Sequence, residues 1–111
     1  KVRNMEYDDD YYYYLPKALL CEEEYRDLSP YAIIFYIILL SKREEAIEMG
    51  WVDDDGEIYL AYTREEFAGM LGCSTSKITN LKYRLQIADL ITVYKHNPLL
   101  HQPDRIYVKE L

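Results

Sequence analysis

The chain has 111 residues, half of them hydrophobic, and a formal net charge of −7 from 13 Lys and Arg against 20 Asp and Glu. This length fits a single domain with its own core, and two cysteines exclude a disulfide scaffold, a four-cysteine zinc site and an iron–sulfur cluster. The charge is unevenly divided: residues 1–72 carry 7 basic and 17 acidic side chains, whereas residues 73–111 carry 6 basic and 3 acidic ones.

No segment of the sequence is long enough to cross a membrane. The longest apolar run, residues 31–40, has ten residues, whereas a membrane-spanning helix needs about 20. No signal peptide opens the chain, and the few cysteines fit a reducing cytoplasm. Because the chain lacks an initiator methionine and ends abruptly, we expect it to be a fragment of a longer protein.

The N-terminal part is predicted to contain an arm. Residues 1–10 are polar and acidic and predict a mobile lead-in, so the domain itself spans residues 11–111. Residues 11–14 are four consecutive tyrosines, which favour an extended arm or a short strand. They either pack on the first long helix or form an interface between two copies of the chain. Residues 17–26 are expected to form one or two helical turns.

The middle of the chain predicts a helix, a turn and a strand. Ser29 and Pro30 are typical of a helix start. We expect this helix to run to Gly50, although its β-branched residues make a strand the competing interpretation. Residues 53–56, with the sequence DDDG, predict a tight turn. The alternation of hydrophobic residues over 57–62 then predicts a half-buried strand.

Two short helices separated by a tight turn are predicted next. Thr63 and Glu66 have the spacing of a capping box at the start of the first of them. Gly72 is expected to end that helix, and Ser74 to cap the second, which covers residues 74–88. Two helices joined by so short a turn are typical of a helix-turn-helix.

The remaining segments complete a winged helix. Residues 90–95 and 105–109 predict two strands, and the loop between them, residues 96–104, contains two prolines and would be the wing. The element order is helix, strand, helix, turn, helix, strand, loop, strand. We therefore predict a mainly α fold with a small antiparallel β-sheet (α+β), a winged helix-turn-helix with an N-terminal extension.

The second helix of the pair carries the candidate binding chemistry on one face. At about 100° per residue, Ile78, Leu81 and Leu85 line a buried stripe, and no acidic residue occurs between positions 74 and 88. On the opposite face, Asn80 can make a bidentate contact with adenine, and Thr79 can touch a thymine methyl group. The predicted phosphate-binding side chains are Ser74, Thr75, Ser76, Lys77, Lys82, Tyr83 and Arg84 in the helix and Lys95, His96, His101 and Arg105 in the wing.

Two other classes of function remain open at this point. Polar helix faces are often only solvated, so a protein-interaction or dimerisation module of the same fold that does not bind DNA is the alternative interpretation. An enzyme that depends on the carboxylates is a distant third. Residues 53–56 do not fit a calcium loop, because its first and last ligand positions would be Trp51 and Tyr62. We therefore predict no catalytic residue, no metal site and no cofactor.

Several segments, taken in order, resemble a known family. They are residues 14–17 (YLPK), Tyr25, residues 28–29, residues 51–53 with Gly56, residues 58–59 and residues 105–108 (RIYV). Their order and spacing resemble the N-terminal domain of plasmid replication initiators, the RepA N-terminal family, over residues 11–111.

The resemblance implies a function and a set of partners. A member of this family is expected to bind repeated double-stranded DNA at the replication origin of a plasmid or mobile element, in the cytoplasm of a bacterium. It is expected to act as a homodimer, with a separate C-terminal domain that works with the replication machinery. The present chain departs from this pattern in its acidity and in the second helix of the helix-turn-helix, residues 74–88, which would be the recognition helix and is only moderately basic. Both departures lower the affinity expected for DNA.

Overall fold

The computed structural model describes residues 11–95, 98–100 and 102–111. The lead-in predicted over residues 1–10 and the two wing histidines, His96 and His101, lie outside the described residues. Within the described part of the chain, no helix is both long and apolar enough to span a membrane.

Four helical segments form the N-terminal half of the described chain. They are α1 (Ala18–Cys21), a 3-10 turn (Glu23–Tyr25), α2 (Pro30–Ser41) and α3 (Arg43–Glu48). The first two confirm the short helical turns predicted there. Ser29 caps α2 as predicted, because its side chain accepts a hydrogen bond from the amide of Ala32 at 3.2 Å.

The helix predicted to run without interruption to Gly50 is broken at Lys42. The hydroxyl of Ser41 donates to the carbonyl of Ile38 at 2.6 Å, and a serine that bonds back in this way bends a helix. Lys42 then takes the conformation φ −86°, ψ −3° and separates α2 from α3. The sequence pattern misses this break because both segments keep the hydrophobic spacing of a helix.

The helix-turn-helix is formed by α4 (Arg64–Leu71) and α5 (Thr75–Ile87). Both halves of the predicted capping box are present at the start of α4, since Thr63 and Glu66 each accept from the other's amide. Gly72 ends α4 in the left-handed conformation, with φ +66°. Ser74 caps α5 by accepting from the amide of Lys77 at 3.1 Å. These local predictions are confirmed.

A two-stranded antiparallel sheet follows α5. It consists of β1 (Ile91–Tyr94) and β2 (Arg105–Val108), with Ile91 opposite Val108 and Tyr94 opposite Arg105. Between them, Pro98–Leu100 form a 3-10 turn within the loop predicted to be the wing. Apart from the strand predicted over residues 57–62, the elements thus have the order and pairing of the winged helix-turn-helix predicted from the sequence, with α1 and the tyrosine arm of residues 11–14 as the N-terminal extension.

The strand predicted over residues 57–62 is reduced to two isolated bridges. Ile58 pairs with Val52 across the DDDG turn, and Leu60 pairs with Ile106 of β2. Because the two bridges lead to different partners, neither extends into a ladder. The predicted alternation still holds, since Leu60 and Tyr62 are buried on the side that faces the core.

The core lies between α2, the helix-turn-helix and the sheet. Phe35 of α2 and Phe67 of α4 are fully buried and meet edge to face, with ring centroids 5.3 Å apart. Tyr36 is also fully buried and donates its hydroxyl to the carbonyl of Lys109, after β2. Burial raises the pKa of Tyr36 to about 12, so this hydroxyl keeps its proton and its hydrogen bond. The other fully buried large side chains are Leu39, Leu60, Ile78, Leu81, Leu85, Leu90 and Ile106.

The turn over residues 53–56 is attached to the sheet by one carboxylate. Asp53 accepts from the amides of Asp55 and Glu57, both at 2.9 Å, and from the hydroxyl of Tyr107 in β2 at 2.8 Å. The bond from the amide of Glu57, followed by that from Tyr107, lowers the pKa of Asp53 below its ordinary value of 3.8. The carboxylate form of Asp53 therefore stabilises the folded chain.

We predict an acid-dependent loss of stability that traces to Asp53. Because its pKa is lower in the folded than in the unfolded chain, its contribution is complete above the unfolded value of 3.8 and is lost as the pH falls through the lower folded value. The Asp53→Asn variant should be less stable at neutral pH and should show a shallower decline in acid. Urea unfolding at a series of pH values between neutral and strongly acidic measures both effects.

Asp54→Asn is the matched control for this experiment. Asp54 is exposed and accepts none of the three hydrogen bonds made to Asp53. Its substitution should leave the decline of stability in acid unchanged. Equal curves for the two variants would show that Asp53 has no special role in attaching the turn.

Candidate nucleic-acid interface

One face of α5 is polar and exposed, as the helical spacing predicts. Its core side consists of Ile78, Leu81 and Leu85, all fully or almost fully buried. From Thr75 to Arg84, the exposed side chains are Ser76, Lys77, Thr79, Asn80, Tyr83 and Arg84. This face, which we call the outer face, has the length and side-chain chemistry needed to enter the major groove of a duplex.

Thr79 and Asn80, the two predicted base-reading residues, are next to each other on the outer face. The side chain of Asn80 is exposed, so both its amide donor and its acceptor are accessible. The hydroxyl of Thr79 donates to the carbonyl of Thr75 at 3.2 Å, which leaves the methyl group as the part of this side chain available to a partner. That arrangement suits the contact with a thymine methyl group predicted from the sequence.

Two residues outside α5 contact the outer face, and sequence reasoning missed both. Arg64, at the start of α4, donates from Nη1 to the hydroxyl oxygen of Thr79 at 3.3 Å. Tyr31, at the start of α2, lies under Lys77, with Nζ 4.8 Å from the ring centroid. The start of each helix was predictable, but the pairing between helices depends on how they pack.

The residues at the start of α5 are occupied by capping. Ser74 accepts from the amide of Lys77, which still leaves its hydroxyl proton free to be donated to a phosphate. Thr75 is half-buried, and its carbonyl accepts from Thr79. Both residues lie at the end of the helix that carries a partial positive charge, where an anion is favoured.

Lys82 was predicted to bind phosphate, but the structure places its side chain in a mostly buried ion pair. It flanks the core stripe as expected, but its side chain is only 10% exposed, and Nζ lies 3.5 Å from a carboxylate oxygen of Asp104. Asp104 closes the loop between the strands, directly before β2. The structure thus gives Lys82 a structural partner that joins α5 to the base of the wing, whereas the predicted contact with phosphate would require Lys82 to leave Asp104.

The two predicted cations of the wing that the structure describes, Lys95 and Arg105, lie in different environments. Lys95 is exposed at the end of β1. Arg105 is half-buried, with its guanidinium carbon 4.2 Å from the ring centroid of Tyr59. The exposed side chains of the 3-10 turn are Leu99 and Leu100, which are apolar. The predicted contacts of His96 and His101 lie outside the described residues and stay predictions.

Every acidic residue that follows Gly72 forms an ion pair. Asp104 pairs with Lys82, Asp89 with Lys109 at 3.6 Å, and Glu110 with Arg43 of α3. In the described part of the chain, the exposed cations of the outer face, Lys77 and Arg84, therefore have no carboxylate partner of their own. The local charge at the outer face is positive, although the whole chain is acidic.

The sequence matches a family model over most of its length. A model described as the N-terminus of replication initiator protein A (RepA) matches residues 11–111. Among curated proteins, a 41 kDa protein of Lactobacillus helveticus is 24% identical over 97 residues, which make up 84% of this chain and 28% of that protein. The chain therefore spans little more than a quarter of the length of this relative.

Solved structures with a similar fold include the following three. A structure described as a Rep-DNA complex has a TM-score of 0.82 at 30% identity, and the match covers 89% of this chain and 75% of that one. An N-terminal domain of a DNA-binding protein has a TM-score of 0.82 at 28% identity, covering 97% and 85%. A structure described as an MDR initiator has a TM-score of 0.78 at 32% identity, covering 89% and 76%.

We predict that Lys82 contributes mainly to stability. Lys82→Met keeps the aliphatic length of the side chain but leaves Asp104 without its cation. The free energy of unfolding should fall by about 1–2 kcal/mol, a modest loss because Asp104 remains partly exposed to water. Thermal or urea unfolding followed by circular dichroism measures it.

Lys77→Met is the matched control, because it removes the same charge from the same helix. Lys77 is exposed, and among the described residues its ammonium group lies over the ring of Tyr31 and forms no ion pair, so its substitution should change stability by no more than about 0.5 kcal/mol. A Lys82→Met variant as stable as Lys77→Met would mean that the contact with Asp104 is not structural.

Proposed function

The chain belongs to the family of the replication initiator protein A (RepA) N-terminus, and from this membership we propose that it binds double-stranded DNA in a sequence-specific way, as the N-terminal domain of a replication initiator. Its target would be the repeated sites of a plasmid or mobile-element origin. It would act there by binding alone, without catalysis and without a cofactor, in the bacterial cytoplasm.

The outer face of α5 is the observation that carries this proposal. It is exposed, free of acidic residues and bounded by cations, in a chain with 20 acidic side chains. The second helix of a helix-turn-helix is the element that lies in the major groove. The similarity to a structure described as a Rep-DNA complex, over 89% of this chain, supports DNA as the partner.

The side chains of α5 and of its cap have two different roles in the proposed recognition of DNA. Asn80 would form a bidentate pair with adenine, and the methyl group of Thr79 would contact thymine. The side chains that would hold the helix in register on the phosphates are Ser74, Thr75, Ser76, Lys77, Tyr83 and Arg84. Phosphate contacts supply affinity that depends on salt, whereas the two base contacts supply the preference for a sequence.

The excess of acidic side chains in residues 1–72 limits how strongly one copy of the chain binds DNA. Their net negative charge repels phosphates at a distance and orients the molecule so that its basic part approaches the duplex first. We therefore propose that binding depends on two copies acting on repeated sites, because linked contacts raise the overall affinity without new interactions at each site.

The tyrosine arm is the surface we propose for that homodimer. Tyr12 and Tyr13 are 64% and 59% exposed, and residues 12–14 line a shallow groove of about 300 Å³ with Ile37 and Leu40 of α2. Exposed aromatic and aliphatic side chains of this kind are enriched where proteins associate. Contacts with the replication machinery would come from the remainder of a longer protein, as the much greater length of the L. helveticus relative suggests.

Base reading by Asn80 is tested by substitution. Asn80→Ala should weaken binding by about 1–3 kcal/mol and relax the preference at one base pair. The measurement is a selection from random duplex DNA, followed by titration of the selected site at several salt concentrations. Gln86→Ala is the control, because Gln86 is an exposed amide in the last turn of the same helix, beyond the early residues that reach base edges. Unchanged binding by Asn80→Ala would refute the assignment of α5 as the base-reading helix.

The homodimer is tested by sedimentation over a range of concentrations. The wild-type chain should shift from dimer to monomer on dilution, and Tyr12→Ala should move that shift to higher concentration. Tyr94→Ala, which removes an equally exposed tyrosine from β1, should not. A chain that is monomeric at every concentration contradicts a dimer formed through the arm.

A further inference from the structure

We propose that Arg64 of α4 binds a DNA phosphate at the edge of the groove entered by α5, and that it is held for this role by Thr79. The inference rests on the DNA-binding function proposed above and adds to it a contact from the first helix of the helix-turn-helix. It assigns a positioning role to a residue that lies outside the predicted recognition helix.

The location of Arg64 places its charge on the outer face. The residue is exposed and is the first of α4. Its Nη1 lies 3.3 Å from the hydroxyl oxygen of Thr79, which directly precedes the base-reading Asn80. The hydroxyl of Thr79 in turn donates to the carbonyl of Thr75 at 3.2 Å. A short chain of hydrogen bonds therefore ties the guanidinium to the backbone of α5.

Most of the N–H hydrogen-bond donors of Arg64 are available to a ligand. A guanidinium has five N–H donors, and the hydroxyl of Thr79 is a neutral acceptor for one of them. Among the residues that the structure describes, no carboxylate forms an ion pair with Arg64. The nearby Glu66 is engaged in the capping box, where its side chain accepts from the amide of Thr63 at 2.9 Å.

The bond to Thr79 joins α4 to α5, but it does not require a full positive charge at position 64. A cation in the first turn of a helix faces the positive end of the helix dipole, which disfavours it. Arg43 shows the structural alternative, since its guanidinium is paired with Glu110 and joins α3 to the C-terminal segment. Arg64 makes no such connection to an anion, although it stands at the face where an anionic partner is proposed.

Phosphate is the group that this geometry favours over a base. The first helix of a helix-turn-helix crosses the DNA backbone, whereas the second enters the groove. The planar fork of a guanidinium matches two phosphate oxygens at once, and the bond to Thr79 already restricts its orientation. A phosphate held there would add a contact to the DNA backbone beside α5, which raises the affinity for any duplex without reading a base.

The experiment is a salt titration of duplex binding with the wild-type chain and with Arg64→Ala, Arg64→Lys and Arg43→Ala. The probes are the selected site and an unrelated duplex of equal length. For Arg64→Ala we expect weaker binding to both duplexes, an unchanged ratio between them, and a plot of log affinity against log salt shallower by about 0.9, the change for one lost phosphate contact. Arg64→Lys should keep the wild-type slope and bind less tightly, because the charge remains but the fork is lost.

The control and the contrary outcomes separate this inference from the function on which it rests. Arg43→Ala removes the same charge from an arginine paired with Glu110 and should leave the slope unchanged. A wild-type slope for Arg64→Ala, a slope change no larger than that of Arg43→Ala, or a relaxed preference at one base pair would overturn the phosphate assignment. If Asn80→Ala still weakens binding in those cases, only the role of Arg64 fails. If the wild-type chain binds neither duplex at low salt, the proposed function fails with it.

Thermal unfolding of each variant shows whether a loss of binding comes from a loss of folded protein. Because Arg64 lies at an unfavourable end of α4, Arg64→Ala should melt at or slightly above the wild-type temperature. A variant that melts distinctly lower would show that Arg64 supports the fold, and that result too would contradict the proposal.

Discussion

The geometry of the molecule depends on one backbone conformation, at the turn between α4 and α5. Gly72 has φ +66°, a conformation that is costly for any residue with a Cβ. A Cβ placed there would meet nothing within 4 Å, so the constraint lies in the backbone torsion and not in the space around it. The turn is closed by a hydrogen bond of 3.1 Å from the amide of Cys73 to the carbonyl of Ala68. It ends α4 abruptly and allows Ser74 to start α5, whose direction decides what the outer face presents.

The local electrostatics of this face differ from those of the chain as a whole. The few carboxylates that follow Gly72 are neutralised by Lys82, Lys109 and Arg43, so the outer face keeps cations without neighbouring carboxylate partners. The acidic excess belongs to residues 1–72. A net charge of −7 therefore bears on how strongly and in which orientation a duplex is approached, and much less on whether a binding face exists.

Features with a local cause were predictable from the sequence, and features that arise from packing were not. The caps at Ser29, Thr63 and Ser74 each involve residues within one turn, and all three appear as predicted. The winged-helix order and the buried stripe of α5 follow from hydrophobic spacing in the same way. The break at Lys42 was missed because it leaves the hydrophobic spacing of both segments intact, and the bond from the Ser41 hydroxyl back to the carbonyl of Ile38 cannot be read from that spacing. The contact of Arg64 with Thr79 joins residues 15 positions apart, and no one-dimensional pattern reports such a pairing.

The ion pair between Lys82 and Asp104 has a consequence for how this architecture can diverge. It links the helix proposed to read the major groove with the loop that would follow the duplex on one side, and one partner is almost completely buried. A buried charge that loses its partner is costly, whereas two apolar residues of similar volume fill the same space without that cost. Positions 82 and 104 should therefore change together among related chains, either keeping opposite charges or becoming hydrophobic as a pair. The residues of the outer face are free of this coupling, so a new DNA target can be acquired there while the angle between helix and wing is inherited unchanged.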